Sequence, residues 1–600
     1  MPNANVQFQG QIFPIPGSYE ADNVQAALPA NPGLIPPLIF IAYGYGGKYL
    51  TPKSYPGGLG LQTLQDDMRG GPGASFVPFI ANPSPVLFGA NQVTYINVGD
   101  NTASTLTLNS TSGTALLNLT SADYGPPSNL LQAEVDAGSQ AGVQITLVDG
   151  YNNANTLQAD NLGYPFSVAY TGAETTATWT VSGSATEIVS LTLSDGAVSG
   201  ASITFPLGTG QYNTVQQLVE AINAASQPFI ARVTANQSNA QQPTSTLDVA
   251  NGTLAEPNAG APQYVFIPGT KGGINFWINR FASSLATSAI APTASGTLGV
   301  ALPSGTPATH FSGATAVAPT NDDYIAAFGV AATIPGWAMF ADSNDPGVIA
   351  AGVQSAFDCS QPAVGRPRRF ISGSSIGDTV TEAQTQARDM QVMQGTYVYP
   401  GIYATDTSTG INTLYGGLYA AAAVASMMSG NLIAQPLTQQ PLFGTGVEVP
   451  LTLGAGGEID LLQQAGVMPV YISSSNGQPT IVSDFTTWQT DNNPENVFNQ
   501  QVACRQALAY SLSQGLQPYA GSIASPFGLT AIKNATKSIL NQLIYSPGNN
   551  GILVSWDAKN LKVTYTGSTQ TVNIQVPVVF VGQVRFIFEY VLVQPLNLAA

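Results

Sequence analysis

The chain has 600 residues, a formal net charge of −17, and only 8% charged residues, against roughly 25% in an ordinary soluble protein. This excludes charge-driven disorder and a basic surface of the kind that holds nucleic-acid phosphates. With 44% hydrophobic residues the chain can bury several cores, at ~100–200 residues per domain, beneath a polar, nearly neutral surface that little repulsion keeps from associating.

Residues 1–30 are polar and interrupted by Pro14, Pro16 and Pro29. Ala4 to Phe13 alternates in strand fashion, with Val6, Phe8 and Ile12 on related faces, and is predicted to be an extended arm. Leu38 to Ala42 is a continuous apolar run before the glycine-rich YGYGG, the pattern of a buried strand and a turn. Gln92 to Val98 is a second strand. From about 100 to 300, Thr, Ser, Gly and Asn dominate. Short alternating runs (STLTLNS, VQITLVD, ATWTVSG, IVSLTLS, ASITFPL) predict β-sandwich or barrel modules, with one helix over Thr214 to Ala225. From 306 the chain alternates helix and strand. Helices are predicted at Asp322–Ala332, Asp345–Phe357, Thr379–Gln394, Glu458–Ala465, Val497–Gly515 and Leu529–Tyr545. Strands are predicted at Trp337–Phe340, Arg368–Ser372, Gly395–Ala404 and Met468–Ser473. The end is β: Ile552–Trp556, Lys562–Thr566, Thr571–Val579 and Val584–Val593. Gly416 to Ala434 has no charge, yet it is rich in Gly, Ala and Ser and only marginally long enough to span a bilayer, so a tightly packed internal helix is expected. The fold class is α+β multidomain: an α/β core formed by the C-terminal half plus the N-terminal segment, with inserted β-rich, sandwich- or barrel-like modules.

Motifs that carry chemistry are weak. Gly373-Ser374-Ser375-Ile376-Gly377 fits the GxSxG nucleophile elbow, but that chemistry needs a histidine after the serine, and the only histidine, His310, precedes it. One histidine also argues against a histidine-based metal or acid–base site. Gly44 to Lys48 lacks the phosphate-loop spacing. The pairs Asp322/Asp323 and Asp342/Asp345 stand at predicted helix starts, where carboxylates cap N–H groups. No catalytic, cofactor or metal site is predicted. Cys359 and Cys504 exclude a disulfide framework, and Met1-Pro2-Asn3-Ala4 lacks the features of a secretory signal. No Lys or Arg occurs between Arg69 and Arg232, while bases gather in the last two-fifths. Among them Lys533 and Lys537 lie four apart beside an apolar helical stripe, either as a solvated face or as a contact for an acidic partner.

The order of these segments resembles the contractile-tail sheath proteins of myovirus-type phages and related injection machines. The likeness rests on FPIPGSY (13–19), LIFIAYGYGGKYLTP (38–52), the Gly89–Leu108 block, the glycine-rich segment and Asp-Tyr helix of His310 to Ala356, and Val398 to Pro436. The helices and strands of the last 150 residues then follow in family order. Pro400-Gly401 stands where the family has Pro-Trp. The resemblance implies a non-enzymatic structural subunit. It would polymerise helically around an inner tail tube and contract to drive that tube through the host envelope during genome delivery. It implies a homo-oligomer meeting the tube protein, baseplate and tail terminator, without cofactors, direct nucleic-acid contact or membrane insertion, assembled in the bacterial cytoplasm and carried in the virion tail. It also implies a division into an N-terminal arm (1–30), the N-terminal part of the core (31–100), inserted β-rich modules (101–185 and 186–305), the sheath core (306–570) and a C-terminal strand arm (571–600). The arms, with Val6, Phe8, Ile12, Phe586, Phe588 and Tyr590, are expected to add strands to neighbouring subunits, and Lys533 and Lys537 to face the tube. A surface-layer or adhesin protein and, less well, a serine hydrolase using Ser375 fit the composition as alternatives.

Overall fold

A computed structural model describes residues 6–8, 11–13 and 37–583, except 152–154, 185, 197–201, 209–210, 293, 295–298, 363, 407–408, 475–476 and 547–549. The chain divides into two compact units. One comprises residues 1–44, 49–99 and 318–600, and the other residues 45–48 and 100–317.

The first unit is built on an eight-stranded sheet. Its order is Pro479–Ile481, Val467–Ile472, Gly395–Tyr399, Arg369–Gly373, Ala338–Ala341, Leu38–Ala42, Gln92–Asn97 and Lys53–Pro56. The six inner strands pair in parallel, and the two edge strands are antiparallel. A parallel strand covered on both faces must be apolar throughout, and every residue of LIFIA is fully buried. The edge strand Lys53–Pro56 carries a lysine and a proline, residues that blunt an open edge.

Helix Gly417–Gly430 is buried along nearly its whole circumference. Its small residues have a steric cause. A Cβ on Gly373 would lie 2.3 Å from the carbonyl oxygen of Gly417, and one on Gly430 would lie 2.0 Å from that of Gly89. Backbone therefore meets backbone at both ends of the helix. Between them Ser426 accepts from the Ala90 N–H (2.9 Å) and donates to the Ile80 carbonyl (2.5 Å). The internal helix expected from the small-residue run is present, and among the described residues no helix is long and apolar enough to cross a membrane.

Helix starts follow local chemistry. Thr379 and Glu382 form a capping box before Val380–Met390, and Asp345 accepts from the Gly347 N–H before Pro346–Cys359. Prolines divide two runs that read as single strands. Gly395–Ala404 breaks at Pro400 and Thr571–Val579 at Pro577, because proline donates no ladder hydrogen bond. Helices Asn499–Leu516 and Pro526–Gln542 share a separate apolar cluster with Leu553, Leu561 and Val576.

The second unit holds two cores, one nested in the other along the chain. The outer stretch supplies strands Ala103–Asn109, Ala115–Tyr124, Leu131–Ala137, Val143–Asp149, Thr156–Leu162, Ala286–Ile290 and Thr306–His310 with helix Thr270–Phe281, around Leu117, Val135, Ile145 and Ile278. The inner stretch runs from Phe166 to Ile267 and packs around Phe166, Trp179, Leu191, Phe205 and Leu218. Its helix Val215–Ala224 opens with a Thr214–Gln217 capping box. VQITLVD buries every second residue, as its alternation predicts.

The expected boundaries do not follow these cores. A cut at 185/186 separates Thr178–Gly183 from Ile188–Ser194, which pair directly. A cut at 305/306 removes Thr306–His310 from its partner Leu131–Ala137. A cut at 570/571 divides the hairpin Lys562–Thr566/Thr571–Gln575. Ladder hydrogen bonds tie each pair into one cooperative piece, so the modules are nested rather than consecutive.

Candidate assembly surfaces

The motifs with catalytic shape resolve into structural roles. Gly373–Gly377 is the turn after strand Arg369–Gly373. The Ser375 hydroxyl accepts from Asn344 Nδ2, and its N–H donates to Asp378 Oδ2 at 2.7 Å. His310 belongs to a strand of the other unit and lies 3.2 Å from Gln132 Nε2. Gly44 to Lys48 is where the chain passes between units, with Gly47 at φ 87°. Asp323 completes the capping box of Asn321–Ala331 and accepts from the Tyr49 hydroxyl at 2.5 Å. Asp345 caps as expected. Asp342 does not: it accepts from the Tyr43 N–H (2.8 Å) and the Tyr324 hydroxyl (2.6 Å) inside the first unit, and desolvation pushes it up to about 6. Both cysteines are buried free thiols, and burial pushes Cys504 up to about 12. Among the described residues no group of three or more His, Cys, Asp or Glu side chains is placed to hold a metal.

The ends of the chain offer strand edges instead. The N-terminal segment is not one extended strand. Val6–Phe8 and Gln11–Phe13 pair antiparallel, with Val6 opposite Phe13, Gln7 opposite Ile12 and Phe8 opposite Gln11. Ile12 thus shares its register position with Gln7 rather than with Val6 or Phe8. The sequence between the strands is Gln9-Gly10, and glycine is the residue two-residue hairpin loops favour. A lone two-stranded hairpin is at best marginally stable in water, so this one gains from further strands. Phe586, Phe588 and Tyr590 lie outside the described residues.

Two more two-stranded sheets stand near the C-terminal end: Leu553–Trp556 with Val578–Phe580, and Lys562–Thr566 with Thr571–Gln575. They carry exposed apolar side chains, Val554 (56% exposed), Val579 (55%) and Tyr565. Helix Pro526–Gln542 buries Ile532, Thr536, Ile539 and Leu540. Lys533 and Lys537 flank that stripe, half-buried, and neither has an ion-pair partner among the described residues. Phe527 and Ile523 at the start of this helix are almost fully exposed.

Charge inside the first unit is confined to few places. Asp484 (1% exposed) and Arg369 (5%) belong to one buried polar cluster. Asp484 Oδ2 accepts from the Gln500 N–H at 3.1 Å, and Arg369 Nη1 donates to the Asn499 carbonyl at 3.2 Å. Desolvation pushes Asp484 up to about 6 in spite of the pull of Arg369. Nothing in the sequence marks this cluster, since Arg369 and Asn499 are 130 residues apart along the chain.

No protein-family model matches the chain. Over 586 residues it is 22% identical to the tail sheath protein of Bacillus phage SP01, covering 96% of this chain and 95% of that protein. Its fold is similar to that of the solved sheath tail protein from Listeria innocua, with a TM-score of 0.53 and 10% identity over 92% of this chain and 94% of that one. It is also similar to the sheath tail protein from Desulfitobacterium hafniense, with a TM-score of 0.50 and 12% identity over 91% and 95%. The likeness in sequence to a tail sheath protein thus runs from end to end of the chain, and the fold is similar to that of two solved sheath tail proteins.

Proposed function

We propose that the chain polymerises helically around an inner tail tube as the repeating, non-catalytic subunit of a contractile sheath. Shortening of that sheath drives the tube through the envelope of a bacterial host. Its partners are further copies of itself, the tube protein, and the baseplate and terminator proteins at the two ends of the tail. Assembly takes place in the host cytoplasm, and the product is part of the virion.

The observation that carries this reading is the tail-sheath likeness over 96% of the chain. The short two-stranded sheets support it. Val6–Phe8, Gln11–Phe13 and the sheets between 553 and 580 present strand edges, and an added strand gives affinity through main-chain hydrogen bonds. Each bond contributes about 0.5–1.5 kcal/mol net, so several are needed to hold subunits together while other interfaces change. A head-to-tail contact set that does not close builds an open helix. Contraction requires two packings of the same subunits, with hinges where the arms leave the core. A chain with 8% charged residues suits such a lattice, because few ion pairs must break as subunits slide. In this reading Phe586, Phe588 and Tyr590 serve the C-terminal arm, and Lys533 and Lys537 meet an acidic face of the tube.

Deleting residues 1–20 tests the arm. The subunit should keep its core and melt as before while ordered tubes disappear from electron micrographs. Intact tubes from the truncated chain would contradict the proposal.

A further inference from the structure

The last described residues are gripped by three neutral side chains. The Val581 carbonyl accepts from Gln500 Nε2 at 2.7 Å and from Gln501 Nε2 at 2.9 Å. Gln500 Nε2 also reaches the Ala434 carbonyl at 3.1 Å, and its Oε1 accepts from Gln501 Nε2 at 3.1 Å. Two residues further on, Thr438 Oγ1 donates to Gln583 Oε1 at 2.7 Å. The Val581 N–H donates to the Ile552 carbonyl at 3.0 Å.

Gln500 and Gln501 are 2% and 9% exposed, at the start of helix Asn499–Leu516. Buried glutamines are uncommon, and ordering such a long side chain is costly in entropy. Here the two amides spend their hydrogens on a carbonyl that belongs to no strand. Gln500 is fixed in turn, because its backbone N–H donates to the buried carboxylate of Asp484. The grip is thus anchored in the core and holds residues 581 and 583.

We infer that Gln500, Gln501 and Thr438 form a clamp that fixes the point and direction at which the C-terminal segment leaves the core. Through it they set which neighbouring subunit that segment reaches. The inference rests on the sheath reading for its purpose and on these hydrogen bonds for its existence. Gln500, Gln501 and Thr438 act as positioning residues. Because the bonds of the clamp join neutral groups, its hold is insensitive to salt.

Trypsin provides a local reporter. Arg585 is the only Lys or Arg after Lys562, two residues past the clamp. Gln501→Met keeps the shape of the side chain and removes its donors. Gln583→Ala removes only the outer bond. Loss of one to two such bonds should speed cleavage at Arg585 roughly tenfold in Gln501→Met and by less in Gln583→Ala, with the melting of the core unchanged. Tubes from Gln501→Met should be short or absent in electron micrographs. Wild-type cleavage rates and wild-type tubes in both variants would overturn the clamp. If Gln501→Met fails to fold, Gln583→Ala decides by the same two readouts. A wild-type chain that forms no tubes contradicts the sheath reading, whereas the cleavage rates still decide the clamp.

Discussion

Replacing Asp484 by asparagine should stabilise the protein at neutral pH, and by an amount that depends on pH in a defined way. The carboxyl is 1% exposed and stands at about 6 in the fold, against 3.8 when free. Its folded value is therefore the higher one. Between roughly pH 4 and 6 the folded state binds more protons than the unfolded chain, so stability falls as pH rises through that window and is flat above it. At 1.36 kcal/mol per pKa unit, holding the ionised carboxylate costs on the order of 3 kcal/mol at pH 7, with the attraction of Arg369 already included. Asparagine mimics the protonated acid and can still accept from the Gln500 N–H. Any fixed penalty for facing its amide toward Arg369 is independent of pH. The difference in unfolding free energy between Asp484→Asn and wild type should therefore grow by about 2 kcal/mol from pH 4.5 to pH 7.5. Urea unfolding midpoints at pH 4.5, 6 and 7.5 measure it. A difference that stays constant, or that shrinks as pH rises, would show that Arg369 outweighs desolvation and would refute the reasoning.

Other expectations follow from packing and exposure. Gly430→Ala places a methyl 2.0 Å from the Gly89 carbonyl, and backbone cannot yield as a side chain can. A loss of about 1–3 kcal/mol is expected, visible as a lowered melting temperature. Thr379→Ala removes the cap of helix Val380–Met390 and should cost about 1 kcal/mol; a change below the error of denaturant titration would count against the capping box. Charge reversal at Lys533 and Lys537 should leave stability within about 0.5 kcal/mol, since neither lysine makes an ion pair among the described residues, while lowering co-assembly with the tube protein in a pull-down. Unaltered co-assembly would remove these lysines from the tube contact.

Local rules carried much of the fold. LIFIA and the alternating β runs each state their structure in a few residues, and each is found where its pattern puts it. Failures came where distant segments decide. Helix Thr270–Phe281 contains Gly272 and Gly273, poor helix formers. It forms because Gly272 packs against the backbone of Thr246, which a Cβ would meet at 2.6 Å. The nesting of residues 166–267 inside the outer β module is invisible to periodicity, which reports faces but not partners. In the N-terminal arm alternation continues across Gln9-Gly10 and so predicts one extended strand, although Val6–Phe8 and Gln11–Phe13 pair with each other. Among candidate contact residues, Lys533 and Lys537 were conspicuous because bases are rare in this chain. Gln500 and Gln501 carry no such signal in a sequence rich in uncharged polar residues. Only the meeting of residues 80 positions apart marks them.

Electron microscopy of the purified full-length chain tests the central claim most directly. The sheath account predicts long, transversely striated tubes with helical order. A planar lattice, or dispersed particles under every assembly condition, would contradict it.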